Sequence, residues 1–175
     1  MGWILLSYKL APEPSRARVA VWREIRRCGA LHLQQSLVAF PDSEDFMPAV
    51  ERFRGVVEEV GGETLTVRGE AAEERDGKRL IEAWNEARNA EYGELVGKCE
   101  NFLEEIEHEF AIQKFTLAEL EEEEAEVEKL DRWHGRIEAR DVHDAERGAD
   151  ARAARERARA ALARYADAVY QRTKP

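Results

Sequence analysis

The chain has 175 residues, 37% of them charged, and its 37 acidic and 27 basic side chains give a formal net charge of −10. It lacks an apolar run near the roughly 20 residues of a membrane span, and its two cysteines form no CxxC pair. These features exclude membrane, disulfide-scaffold and zinc-finger proteins. The apolar opening, residues 3–10, follows no cationic residue, so we expect a first strand rather than a signal peptide, in a cytoplasmic protein.

The first part of the chain alternates between strand and helix patterns. Residues 3–10 are rich in strand formers, and a helix beginning at Ser15 carries Val19, Trp22 and Ile25 at spacings that predict its buried face. Residues 31–40 read as strand, divided by the polar segment Gln34–Ser36. A second helix, capped by Asp42 or Ser43, ends at Gly61–Gly62, and residues 64–68 alternate as a last strand. This order predicts an α+β fold with a ferredoxin-like βα(β)βαβ unit over residues 1–70.

The second part, residues 77–175, predicts a helical region of about three helices that packs on the first unit. Residues 69–76 are polar and read as a linker, and an apolar stripe then runs from Leu80 to Ile106 at helical spacing. A break is expected at 107–115, with Thr116 capping the next helix. The acidic run Glu121–Glu124 is interpreted as a solvated face, and the alanine-rich residues 145–175 predict a thin third helix.

Several local motifs give the chain a recognisable family pattern over residues 2–142. They are Pro14-Ser15, Arg18-Val19, Trp22-Arg23, Gly29-Ala30, Gln35-Ser36, Pro41, Phe115-Thr116, Glu119-Leu120, Trp133 and Arg140-Asp141. With these motifs the chain resembles the N-terminal domain of the chromate-resistance protein ChrB. The resemblance implies a regulator of a chromate-efflux operon that acts on DNA and responds to chromate. Full-length members carry a second, C-terminal domain, so we expect a diverged, stand-alone member.

The basic helix is the first candidate site. Residues 1–41 hold six basic and two acidic side chains, whereas residues 42–144 are strongly acidic. Arginines can neutralise DNA phosphates, and their planar fork also suits a tetrahedral oxyanion such as chromate. The expected DNA- or oxyanion-binding residues are Arg16, Arg18, Arg23, Arg26, Arg27, Gln35 and Ser36. The alternative is a solvated helix face with ion pairs to the acidic half.

The second candidate site is a pair of carboxylate–histidine motifs. Glu105 and His108, and likewise Asp131 and His134, stand three residues apart and share a helix face. Paired motifs of this kind hold two metal ions in helical bundles. They suggest an iron or manganese enzyme as an alternative to the regulator. One of the four histidines, His32, His108, His134 or His143, could instead bind a haem.

A third reading is a non-catalytic interaction module whose acidic helix, 117–130, docks a basic partner. The chain has neither a glycine-rich phosphate loop nor a GxSxG motif, so classical nucleotide and acyl-transfer chemistry is unsupported. In each case we expect a homo-oligomer without membrane association.

Overall fold

The computed structural model describes residues 2–11 and 15–173 of the chain. The expected α+β class is confirmed, because a four-stranded antiparallel sheet is followed by a helical region. The helices and strands are β1 (Trp3–Lys9), α1 (Ser15–Cys28), β2 (Leu31–Gln34), β3 (Leu37–Pro41), α2 (Met47–Glu59), β4 (Glu63–Gly69), α3 (Glu74–Ile112), α4 (Leu117–Glu138) and α5 (Gly148–Thr173). None of the described helices is sufficiently long and apolar to cross a membrane.

The sheet has the strand order β2-β3-β1-β4, with every neighbouring pair antiparallel. β1 pairs with β4 along all seven of its residues, from Trp3 opposite Gly69 to Lys9 opposite Glu63. With α1 and α2 as connections, this is the βαββαβ arrangement of a ferredoxin-like unit. The prediction from the alternating periodicities is therefore confirmed.

A tight turn at Gln35 and Ser36 separates β2 from β3. The Ser36 amide donates to the carbonyl of Gln34 at 2.8 Å, and the Tyr8 amide donates to the carbonyl of Ser36 at 2.9 Å. The polar break in the sequence thus ends one short strand and begins the next, because polar turn residues replace the apolar alternation there. The second of these bonds holds the turn against the end of β1.

The buried face of α1 differs from the predicted one. Ala17, Val21, Glu24, Ile25 and Cys28 are buried, whereas Val19 is 45% and Trp22 55% exposed. The prediction was correct for Ile25 and wrong for Val19 and Trp22. Successive helical residues are about 100° apart, so burial of the face formed by the five buried residues leaves Val19 and Trp22 at the surface.

The chain divides into two compact units, residues 1–84 and 85–175, and the division lies inside α3. The polar segment 69–76 is partly helical, because α3 already begins at Glu74. Trp84 is fully buried in the core of the first unit, where its ring contacts Trp3 at 6.1 Å and Phe46 at 5.5 Å between centroids. Trp84 therefore belongs to the core of the first unit.

The second unit is a three-helix arrangement formed by α4, α5 and the part of α3 after Trp84. α3 contributes to the core of this unit through part of the predicted apolar stripe. Its buried residues there are Tyr92, Leu95, Cys99, Phe102 and Ile106. α5 contributes mostly methyl groups. Its buried side chains are Ala151, Ala154, Ala158, Ala161, Tyr165 and Val169.

The connection between α3 and α4 is shorter than predicted. α3 continues to Ile112, through six of the nine residues of the expected break at 107–115, because the Phe110 ring packs edge-on against Phe115 and Tyr165 and anchors its last turn. The expected cap is confirmed, since the Thr116 hydroxyl accepts a hydrogen bond from the Glu119 amide at 3.2 Å.

Candidate functional site

The outward side of α1 carries a concentration of exposed arginines. All five arginines predicted for DNA or oxyanion binding are exposed, namely Arg16, Arg18, Arg23, Arg26 and Arg27. The acidic residue of this helix, Glu24, is only 5% exposed and pairs with Arg52 of α2 at 2.8 Å. Because Glu24 turns inward, the outward side carries positive charge without a carboxylate of its own helix.

An exposed aromatic ring belongs to the same surface. The Arg26 guanidinium lies over the Trp22 ring, 5.4 Å from its centroid, in a cation–π contact. The helical spacing had predicted Trp22 as a core residue, so its place at the surface was not expected. We call the outward arginines together with Trp22 the cationic face. Within the described residues, Arg16 and Arg23 of this face form no ion pair.

A cavity of about 480 Å³ opens beside the cationic face, where α1, the end of β1 and the β2–β3 hairpin meet. We call it the α1 pocket. It brings together three residues that the sequence analysis had grouped, Arg18, Gln35 and Ser36. Its other described lining residues are Tyr8, Leu10, Ala11, Val21, Trp22, Ile25 and His32. The arginines at 16, 23, 26 and 27 do not line it.

The pocket has an apolar floor and a polar rim. Val21 and Ile25 are 1% and 7% exposed, whereas Arg18, His32, Gln35 and Ser36 lie at the surface. Burial raises the pKa of Tyr8, so its hydroxyl stays protonated at neutral pH. Sequence reasoning missed Tyr8 and His32, because only the pairing of β1 with β3, and of β3 with β2, places them near α1.

The carboxylate–histidine motifs of α3 and α4 have different surroundings. Glu105 and His108 are exposed, whereas His134 is 1% exposed. Asp131 accepts two N–H groups of Arg159, the shorter bond at 2.7 Å, and Nδ1 of His134 lies 3.0 Å from Arg155. Among residues 2–11 and 15–173, no three His, Cys, Asp or Glu side chains are grouped so that they could hold a metal ion.

The arginines of α5 explain this arrangement. Arg155 and Arg159 turn toward α4 and occupy the acceptors that a metal would need. A guanidinium binds a carboxylate with two parallel N–H donors. The geometry therefore gives no support to an iron or manganese site at Asp131 and His134.

The acidic run of α4 is only partly solvated. Glu123 is 3% exposed, and its burial, with the neighbouring carboxylates Glu105 and Glu119, raises its pKa to about 7. Glu121, Glu122 and Glu124 are exposed as expected. The prediction of a fully solvated face is thus wrong for Glu123, which packs toward the helical core.

Comparison with known proteins gives one match. A profile for the family described as "Protein ChrB, N-terminal" matches residues 18–175 of the chain. No curated protein and no solved structure gives a significant match. The match begins within α1 at Arg18 and covers both compact units. The chain therefore belongs to the ChrB N-terminal family, and this membership associates it with chromate resistance.

Proposed function

We propose that the chain is a DNA-binding transcriptional regulator linked to chromate resistance, and that its cationic face contacts the DNA backbone. The observation that carries the proposal is the distribution of charge on α1. Five arginines are exposed on this helix, while its acidic residue, Glu24, is buried against Arg52. An exposed helix with this concentration of guanidinium groups matches the repeating charge of nucleic-acid phosphates.

The residue types of the face favour phosphate contacts. Arginine presents a planar fork of donors that binds phosphate oxygens in pairs, which fixes a protein in register on the duplex. Arg26 is held over the Trp22 ring, so less side-chain freedom is lost when it binds. We expect Arg16 and Arg23, which no described carboxylate engages, to make the strongest phosphate contacts.

The overall charge of −10 is compatible with this role, because the acidic residues are unevenly distributed. They are concentrated in residues 42–144, whereas the segment that contains α1 is net positive. At physiological salt, charges further apart than about 8 Å are largely screened. The local charge of α1 then decides the affinity, and low salt strengthens it.

Fluorescence anisotropy with a labelled duplex from the region upstream of the protein's own gene tests the proposal. Arg23→Gln and Arg26→Gln should each weaken binding and reduce the slope of log affinity against log salt by about one. Arg79→Gln is the matched control, since it removes one exposed charge of the first unit outside α1. The affinity of this variant for the duplex should stay within twofold of the wild-type value. Absence of binding at ~50 mM salt, where electrostatic affinity is greatest, would contradict the proposal.

The chromate response is tested in the same assay. For a regulator of chromate efflux we expect added chromate to shift the DNA affinity, with sulfate, a dianion of the same shape, as the matched control. A shift with chromate alone supports an oxyanion-specific response. An equal shift with both anions reports screening of the cationic face only.

A further inference from the structure

The α1 pocket combines features that a phosphate-contacting surface does not need. Val21 and Ile25 form a buried apolar floor, and the Trp22 ring stands beside them as a wall. Small-molecule sites are typically concave and mostly apolar, with a few polar groups that fix the ligand's orientation. The pocket has this composition, since its polar groups are confined to the rim.

The described part of the rim carries positive charge. Among the described lining residues, Arg18 is the one permanently charged side chain. These residues include no carboxylate. Arg18 already makes another contact, but a guanidinium has five N–H donors and can engage a second acceptor. Gln35 and Ser36 add neutral donors at the same rim. The turn that carries them is fixed by the bond from the Tyr8 amide to the Ser36 carbonyl.

The size of the pocket favours an organic anion over a small inorganic one. Its volume of about 480 Å³ lies within the range of roughly 300–1,000 Å³ of small-molecule sites. A tetrahedral oxyanion such as sulfate or chromate has five non-hydrogen atoms and no apolar surface. Bound at Arg18, such an ion would leave the floor at Val21 and Ile25 uncovered. An occupant that uses both regions carries its charge at one end and an apolar body at the other.

We propose that the α1 pocket binds a small organic carboxylate with an apolar, ring-sized body. The carboxylate pairs with Arg18 and accepts from Gln35 or Ser36, and the ring lies on Val21 and Ile25 against the Trp22 indole. Desolvation of the ring and of the floor supplies most of the affinity, and Arg18 supplies the preference for an anion. Arg18 and Trp22 belong to both the α1 pocket and the cationic face, but the proposal does not rest on DNA binding by that face.

Benzoate is the probe, with uncharged benzamide and inorganic sulfate as matched comparisons. Titrations followed by ¹H–¹⁵N NMR should move the amide signals of Tyr8, Gln35 and Ser36 with benzoate. Benzoate should bind at least tenfold more tightly than either comparison compound. Equal affinity for benzamide would overturn the role of charge, and tighter binding of sulfate would overturn the role of the apolar floor.

Two variants locate the site, with a third as control. Arg18→Gln should weaken benzoate binding at least tenfold, and Ala11→Trp, which fills the pocket without changing its charge, should also weaken it. Arg23→Gln removes an arginine of the same helix outside the pocket, so benzoate affinity should stay within twofold while DNA affinity falls. Unchanged benzoate binding in Arg18→Gln would refute the pocket proposal, whatever the DNA result.

Discussion

Nδ1 of His134 lies 3.0 Å from a guanidinium nitrogen of Arg155. A guanidinium can only donate, so Nδ1 must accept this bond and the ring must be neutral with its proton on Nε2. Burial, and then the charge of Arg155, lowers the pKa of His134 below its ordinary value of 6.5. Glu138, 3.8 Å away, acts in the opposite direction but is half exposed.

The neutral state of His134 predicts an acid-sensitive contribution to stability. A histidine with a lowered folded-state pKa stabilises the fold fully above pH 6.5, and this contribution is lost as pH falls through the folded-state pKa. In urea unfolding between pH 8 and 5, the wild type should lose more stability than His134→Gln, which does not titrate. His108→Gln is the control, because His108 is exposed. Parallel curves for wild type and His134→Gln would contradict the prediction.

Glu123 predicts a pH dependence of the opposite sign. Its folded-state pKa of about 7 lies above its ordinary value of 4.5. Its contribution is therefore fully present below pH 4.5 and is lost as pH rises through 7. Glu123→Gln should raise the free energy of unfolding at pH 8 by on the order of 2 kcal/mol, with little change at pH 4.5. Glu122→Gln, at an exposed position, should show no such difference between the two pH values.

Two glycines of α3 predict different responses to the same substitution. A Cβ at Gly97 has no neighbour within 4 Å, so Gly97→Ala should stabilise the helix by about 0.5–1 kcal/mol. A Cβ at Gly93 would collide with the Arg147 guanidinium. Gly93→Ala should therefore gain less than Gly97→Ala, because Arg147 must move. Thermal unfolding of both variants measures the difference, and equal gains would show that the Arg147 contact contributes nothing.

The Glu24–Arg52 pair predicts a cost for exposing a buried charge. Arg52→Ala leaves the Glu24 carboxylate, only 5% exposed, without its partner. Because Arg52 itself is half exposed, solvent screening reduces the cost to about 1–2 kcal/mol. Chemical unfolding should show that a second change, Glu24→Gln, recovers most of this loss. Arg54→Ala, which breaks an exposed pair with Glu51, should cost a few tenths of a kcal/mol.

Local signals in the sequence predicted much of the fold. Thr116 caps α4, the polar residues at 34–36 form the turn between strands, and the stripe from Tyr92 to Ile106 is buried. Each depends on neighbours within a few positions along the chain. The predicted end of α3 was wrong because it is decided by contacts between Phe110 and Tyr165, which are far apart in sequence.

The sequence predicted the residue types of the candidate site. It did not predict which of these residues line the α1 pocket and which lie outside it. Arg18, Gln35 and Ser36 share the α1 pocket, whereas Arg23 and Arg26 do not line it. This separation depends on the rotation of α1 about its axis. The buried face of α1 includes Glu24, a residue type that is almost never fully buried unless it is paired, and its partner Arg52 lies on another helix. Long-range partners likewise determine the state of His134, because Arg155 approaches it from another helix.

The methyl groups of α5 have a genetic consequence. The codon for alanine is one base change away from codons for valine, threonine, proline and an acidic residue, and each of these is bulkier. At Ala151, Ala154 and Ala158, which are at most 1% exposed, any of these replacements must displace a neighbouring helix. We expect a saturation mutagenesis map to show a stripe of intolerant positions here, spaced by three and four residues. The smallest side chains of the second unit would then be among its least replaceable.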